Sequence, residues 1–279
     1  MADRILITGG TGKTGRRIVE NLRQRGIEPR IASRKATGGP SSIRFDWLDA
    51  ETYENAASDI RAAYLVAPSN IHEPLDAMRP FLEYAIWAGI ERFVLLSASS
   101  LEEDGPMMGA VHSFLKRNAP RWTVLRPTWF MQNFSEEQHL PTIREERAIY
   151  SATRDGRVPF INAEDIAAVA VEALVNPTFP ERDLVLTGPQ SLSYDDVARI
   201  ISRVSGINIE HCRLSETELV ARFVHRGMAP VYARMLVAMD SAIADGSEDR
   251  VTNEVRLITG IEPCNFSKFA AAAREVWRS

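Results

Sequence analysis

Thr8-Gly9-Gly10-Thr11-Gly12-Lys13-Thr14-Gly15 follows the apolar run Ile5-Leu6-Ile7 and precedes a segment with Ile18, Val19 and Leu22 at helical spacing. The apolar triplet reads as a buried strand, and Lys13 to Arg25 as a helix stopped by Gly26. The three spaced glycines each have a use. Gly9 permits the tight turn after the strand, Gly12 lets backbone approach a pyrophosphate, and Gly15 lets the helix pack against the strand. Unpaired N–H groups at the helix start then face the anion. Gly12-Lys13-Thr14 also looks like the end of a P-loop, but that motif needs a glycine five positions before Gly12, where Ile7 stands. The turn is too short to wrap a nucleoside triphosphate. It reads as a dinucleotide site, with Gly9, Thr11, Gly12, Lys13 and Thr14 expected at the phosphates.

The stretches that follow alternate in type. Strands are expected at Pro29–Ser33, Ser42–Phe45, Ala62–Val66, Phe93–Leu96 and Trp122–Leu125, with helices over His72–Ala88 and near Met108–Asn118. That order predicts an α/β fold, a doubly wound parallel Rossmann sheet with helices on both faces. After Pro127 the pattern changes. Helices are expected at Ala163–Val175, Ser193–Val204, Glu216–His225, Pro230–Ala244, Asp249–Ile258 and Phe266–Val276, with a strand at Leu184–Leu186. Ser215 with Glu218 reads as a capping box. The expected organisation is a nucleotide-binding core over residues 1–150 and a smaller, mainly helical substrate lobe over 151–279, with 163–190 returning to the core. A cleft at the C-terminal ends of the strands would take the ligands.

Composition narrows the function classes. A chain of 279 residues, 45% hydrophobic, can bury a core without disulfide or metal support. A net charge of -4 gives no electrostatic reason to expect nucleic acid or an anionic membrane as partner. Cys212 and Cys264 read as packing residues. The apolar run after Met1-Ala2-Asp3-Arg4 is too short for a signal-peptide core, and the apolar stretch around Leu82–Ala98 is broken by Glu83, Glu91 and Arg92, so a cytoplasmic location is expected. The histidines at 72, 112, 139, 211 and 225 are scattered, so no metal is expected. No nucleophile-elbow motif supports hydrolase chemistry.

NAD-specific folds place an acidic residue at the end of the second strand, to bond the ribose 2′-OH. Here that end reads Ser33-Arg34-Lys35. A hydroxyl and cations suit a 2′-phosphate, which arginine grips bidentately, so NADP(H) is the expected cofactor. The alternative is that Arg34 and Lys35 are solvated loop charges. By fold analogy, Asp46 and Trp47 would lie near the adenine, and Ala67-Pro68-Ser69 near the adenosine ribose. Ser97 and Ala98, ending the fifth strand, are further cofactor-side candidates.

Short-chain dehydrogenases use a serine with a Tyr-x-x-x-Lys pair, in which the tyrosine protonates the developing alkoxide. Ser97, Ser99 and Ser100 are available, but the segment Gly105–Lys116 holds no tyrosine. His112 and Lys116 copy the spacing, and are open to reading as a catalytic pair or as surface or capping residues. Without a proton donor a carbonyl is a poor hydride acceptor. An iminium ion already carries the positive charge that hydride neutralises, so it needs orientation more than acid catalysis.

Several segments carry a family resemblance. Thr8–Gly15 resembles the glycine loop of NmrA-like atypical short-chain dehydrogenases. Leu125-Arg126-Pro127-Thr128-Trp129-Phe130-Met131-Gln132-Asn133-Phe134-Ser135-Glu136 is similar to a segment of the festuclavine and agroclavine dehydrogenases, and so are Gly105–Gly109, Ile149–Thr153, Ser193–Val197, Tyr232–Met235 and Glu248–Arg250. The resemblance implies NADPH-dependent reduction of a cyclic iminium in alkaloid biosynthesis. It implies that Pro127, Thr128, Trp129 and Phe130 lie beside the nicotinamide, with Trp129, Phe130 and Asn133 towards a small cyclic amine or iminium substrate. Aromatic faces there would hold a cation; plain core packing is the alternative. Ser97, His112, Trp129 and Asn133 are thus the catalytic-side candidates, for positioning rather than acid–base work. Met228, Tyr232, Met235 and Met239 either cover the pocket or pack in the core. Two other functions fit the same residues: an NADPH-dependent quinone or enone reductase, and a non-catalytic NADP-binding redox sensor. A monomer or homodimer is expected.

Overall fold

The computed structural model describes residues 4–35, 38–68, 71 and 73–278. In chain order its elements are β1 (Arg4–Thr8), α1 (Lys13–Gln24), β2 (Arg30–Ser33), β3 (Ser42–Arg44), α2 (Tyr53–Ala57), β4 (Ile60–Leu65), α3 (Pro74–Trp87), β5 (Arg92–Leu96), α4 (Met108–Asn118) and β6 (Arg121–Pro127). There follow α5 (Leu140–Glu146), β7 (Ala148–Ser151), β8 (Arg157–Val158), α6 (Ala163–Val175), β9 (Asp183–Leu186), β10 (Leu192–Ser193) and α7 (Tyr194–Ser205). The chain ends with β11 (Glu210–Arg213), α8 (Glu216–His225), α9 (Pro230–Ala244), α10 (Glu254–Thr259) and α11 (Phe266–Ala273).

Two compact units are formed. The first comprises residues 1–127, 163–186 and 254–261, and the second 128–162, 187–253 and 262–279. The sequence reading drew its boundary at residue 150; the first unit's leading segment ends at Pro127, and 163–186 belongs to that unit.

In the first unit seven strands run in the order β3-β2-β1-β4-β5-β6-β9, all parallel. The strand order reverses at β1, so the switch point lies between β1 and β4. The central strands β1, β4 and β5 are nearly continuous apolar runs, as strands covered on both faces must be. Ile5, Leu6 and Ile7 are fully buried. α1 turns Ile18, Val19 and Leu22 inward and stops where Gly26 takes a positive φ. The pairs Arg17–Glu164 and Arg25–Glu172 link α1 to α6 at its polar edge. α6 is apolar on most of its circumference, as a helix buried among others must be.

The second unit is mainly helical, with two small sheets that the sequence reading did not foresee: β7 parallel with β11, and β8 antiparallel with β10. Strands of two to four residues are too short to show an alternation. The unit's core gathers Phe134, Phe160, Tyr194, Phe266 and Trp277. Trp277 is fully buried and donates its indole N–H to the Phe134 carbonyl at 2.7 Å.

Two expected helices are shorter than their sequence patterns. The segment read as Asp249–Ile258 becomes helical only at Glu254; ahead of it Thr252 donates its N–H to the Thr187 hydroxyl at 3.0 Å, a partner outside any helical turn. The last helix ends at Ala273 and tightens into a 3₁₀ turn over Arg274–Trp277. The expected helix over His72–Ala88 is α3, with Pro74 in its first turn; His72 lies outside the described residues, as does Ser69.

Candidate functional site

The β1–α1 turn is built from backbone. Gly9 has φ +62°, a conformation side chains resist, and a Cβ there would come within 3.1 Å of Val66, just past β4. Gly15 has no room for a Cβ: it would meet the Gly9 carbonyl and come within 2.8 Å of the Gly10 Cα. Gly12 is the N-cap of α1, no side chain caps that helix, and no acidic residue stands in its first turn. The helix start is thus left open towards the switch point, where an anion fits. Thr8 fixes the base of the turn. Its hydroxyl donates to the Tyr64 carbonyl at 3.0 Å and accepts from the Val66 N–H at 2.8 Å, tying β1 to β4. The sequence reading did not single out Thr8.

The candidate cofactor residues differ in what their side chains do. Thr11 and Gly12 are exposed and Lys13 is half-buried. Thr14 is buried, and its hydroxyl accepts from Tyr64 at 2.9 Å, so only its backbone faces the open side of the turn. Burial raises the Tyr64 phenol well above its ordinary range, so it remains a donor. Ser33 bonds the Lys35 carbonyl at 2.5 Å. Arg34 is exposed, with no acidic partner among the described residues. Asp46 caps its own turn, accepting from the Leu48 N–H at 3.1 Å. Trp47, expected near the adenine, has its ring buried rather than open to a ligand. Its ring lies in the core, 4.9 Å from Phe45 and 5.4 Å from Phe81, both edge-on. An aromatic flanked by Phe45 and Tyr53 lowers its free energy more by joining that cluster than by facing water. Ala67 and Pro68 are half-buried just beyond β4.

At the end of β5, Ser97 and Ala98 are half-buried, and the Ser97 hydroxyl is buried without a partner among the described residues. Such a group fits a site completed by a ligand. The segment after it is held by Arg126 of β6. This guanidinium donates to the Ser99 carbonyl at 2.8 Å, to Glu102 at 2.5 Å and to Asp183 at 2.7 Å. Burial opposes its charge, but the two carboxylates more than compensate and its pKa lies above the ordinary value. Pro127 continues the tie by accepting from the Ser99 N–H at 2.9 Å. Arg126 also escaped the sequence reading, although it opens the segment that carries the resemblance.

His112 and Lys116 lie on α4 but are not a pair. His112 is 2% exposed, beside Trp122, and neither ring nitrogen has a hydrogen-bond partner among the described residues. Burial lowers its pKa, so the ring is neutral. Lys116 bonds Glu103 at 2.8 Å.

The nicotinamide-side candidates after Pro127 belong to the second unit and are fixed within it. The Thr128 hydroxyl donates to the Pro159 carbonyl at 2.7 Å. The Trp129 carbonyl accepts from Ile161, and the Met131 N–H donates back to the Ile161 carbonyl at 2.9 Å. Gln132 donates to Asn162 at 2.7 Å. Trp129, Phe130 and Asn133 are half-buried, each with part of its side chain accessible. Among the described residues, no three histidine, cysteine or acidic side chains gather as a metal site, and no helix is long and apolar enough to cross a membrane. Cys212 and Cys264 are unbridged.

Comparison with known proteins agrees with this geometry. The model of the NAD(P)H-binding family matches residues 9–177. The chain is 42% identical to agroclavine dehydrogenase of Claviceps fusiformis, over 98% of each protein. It is also 42% identical to the uncharacterized oxidoreductase YesF of Bacillus subtilis, over 99% of this chain and 96% of that one. Among solved structures, the NADPH-dependent quinone oxidoreductase QOR2 of Escherichia coli, complexed with NADPH, superposes with a TM-score of 0.79 over 96% of this chain and 99% of that one, at 19% identity. An open glycine turn at the sheet's switch point, matched by the family model and by relatives along the whole chain, makes this protein a member of the NAD(P)H-binding family and a full-length relative of the agroclavine dehydrogenases.

Proposed function

We propose that the chain is an NADPH-dependent reductase of a carbon–nitrogen double bond, acting on a small cyclic iminium or imine. NADPH, when bound, supplies the hydride. The backbone from Gly9 to Gly15 holds the pyrophosphate with the open start of α1, and Arg34 grips the 2′-phosphate beside Ser33. The end of β2 carries no carboxylate to favour NAD, and Arg34 has no acidic partner to give up among the described residues. Ser97, with its unpartnered hydroxyl, orients the nicotinamide side, and Arg126 positions the segment that carries it.

The observation that carries the choice of acceptor is the state of His112. The α4 position that copies the dehydrogenase spacing holds a buried, neutral ring, and its would-be lysine partner is bonded to Glu103. A carbonyl or quinone acceptor leaves an oxyanion that needs a donor. An iminium acceptor becomes neutral without one. In this reading His112 packs, while Trp129 and Phe130 present ring faces to the cation and Asn133 orients it. The 42% identity to agroclavine dehydrogenase supports the same class of acceptor.

The test is NADPH oxidation with a panel of cyclic iminium ions, quinones and enones. Turnover of iminium ions in preference to the others is expected. Faster turnover of quinones overturns the proposal, and so does nucleotide binding with no turnover of any acceptor. The cofactor assignment is checked with Arg34→Ala, which should weaken NADPH by about tenfold or more and leave NADH unchanged.

A further inference from the structure

The second unit holds a cavity of about 150 Å³ that the reductase reading does not use. Its apolar wall is Phe223 of α8, Met228, Leu236 of α9 and the ring of His139. His139 is buried, its ring stacks on Phe134 at 4.9 Å, and its Nε2 has no partner among the described residues. Burial holds its pKa down at about 3, so this wall is uncharged at neutral pH.

The polar wall is different. Tyr150, Arg222 and Arg226 line it. Arg222 lies over the Tyr150 ring, 3.6 Å from its centroid. Both arginines use one nitrogen, Nη2, to reach the same carboxylate, Glu146, at 2.5 Å. Glu146 also accepts from the Tyr150 hydroxyl at 2.8 Å. Arg226 makes one further contact, 3.4 Å to the exposed Glu145, which solvent screens. Two guanidinium groups therefore share one close carboxylate, and their Nε and Nη1 groups have no protein acceptor among the described residues. An apolar pocket with two guanidinium groups and unused N–H donors at its wall suits an amphipathic anion. A cavity of this size holds one six-membered ring.

We infer that this cavity is a binding site for a single-ring aromatic carboxylate, whose ring fills the space beside Phe223, Met228 and Leu236 and whose carboxylate bonds Arg226 and Arg222. The site lies wholly within the second unit and selects the opposite charge from the proposed iminium substrate. It is a second ligand site, and its occupancy does not depend on the reductase reading.

The experiment is calorimetric titration of the full-length protein, with NADP⁺ present in excess to fill the nucleotide site, using benzoate, benzamide and benzylamine. Benzoate should bind, benzamide more weakly, and benzylamine not at all. Arg226→Gln should weaken benzoate by about tenfold or more, since charge-assisted hydrogen bonds are lost. Met228→Trp, which fills the cavity and leaves the charges in place, should abolish binding. Glu146→Gln removes the competing carboxylate and should tighten benzoate severalfold. No heat with benzoate overturns the inference. Equal or tighter binding of benzylamine overturns it too, as does benzoate binding unchanged in both Arg226→Gln and Met228→Trp. NADP⁺ affinity, measured alongside, should be unchanged in all three variants.

Discussion

The β1–α1 turn in the first unit presents polar groups of the backbone and keeps side chains away. Gly9, Gly12 and Gly15 clear the space, Thr14 turns its hydroxyl inward to Tyr64, and no side chain caps the helix. The interior of the second unit does the reverse. It brings polar side chains into an apolar core and satisfies them, in part, with backbone: Asp240 of α9, 7% exposed, accepts from the Ala152 N–H at 2.9 Å. The difference matters for how each region tolerates change. A backbone site depends on what is absent, so adding one atom damages it. A side-chain site depends on partners and on protonation, so it responds to pH and to deletion.

The largest effect should come from breaking the first region. Gly15→Val forces a side chain against the Gly9 carbonyl and the Gly10 Cα, neither of which can rotate away. A loss of at least about 3–4 kcal/mol is expected, seen in urea unfolding, together with loss of NADPH binding. Gly12→Ala is the control: its Cβ would meet only the Gly9 carbonyl, at 3.2 Å, so the fold should survive. Equal damage from both would show that the turn does not discriminate as its geometry requires.

Arg126→Met tests whether the first unit also relies on side-chain ties. It removes the guanidinium that bonds Glu102, Asp183 and the Ser99 carbonyl together. The carboxylates are partly exposed, so the cost is expected at about 2–3 kcal/mol, below that of a fully buried pair. Because the segment after Ser97 loosens, the KM for NADPH should rise as well. A change in stability with no change in that KM would make Arg126 merely structural.

The effect most confined in its conditions sharpens the second region. Burial holds the Asp240 carboxyl up at about 6, against an ordinary 3.8. The folded state therefore binds a proton more tightly than the unfolded chain between those values. Its stabilising contribution is complete below about 3.8 and is lost as pH rises through about 6. Asp240→Asn keeps an acceptor for the Ala152 N–H and cannot ionise. The variant should gain up to about 3 kcal/mol over the parent at pH 8 and little at pH 4, in thermal or urea unfolding. A gain independent of pH would mean that packing, not charge, is the cause.

Legibility in the sequence followed the same division. Helices with long apolar periods were readable to the residue: α4, α6, α8 and α9 span the limits their patterns predict. The parallel sheet followed from the alternation of elements. β7, β8, β10 and β11 were not readable, since each is at most four residues and paired by contacts distant in sequence. Asp249–Asn253 looked helical by period and is not helical: Thr252 gives its N–H to the Thr187 hydroxyl instead of a carbonyl of its own turn. Among the site candidates, Arg34 stands exposed just past β2, whereas the Trp47 indole belongs to an aromatic core that only the fold assembles.

The sequence by itself determined the glycine turn, the parallel order of strand and helix around it, and the absence of a tyrosine from α4. Each of these is a local requirement: a positive φ, an apolar period, or the identity of one residue. Only the tertiary structure decided that His112 is buried and neutral, that Arg126 holds the segment after Ser97, and that Arg222 of α8 and Arg226 just after it share Glu146 beside an apolar cavity. Those are matters of burial and of partners far apart in the chain, and a side chain's charge and hydrogen bonds are set by what the fold brings against it.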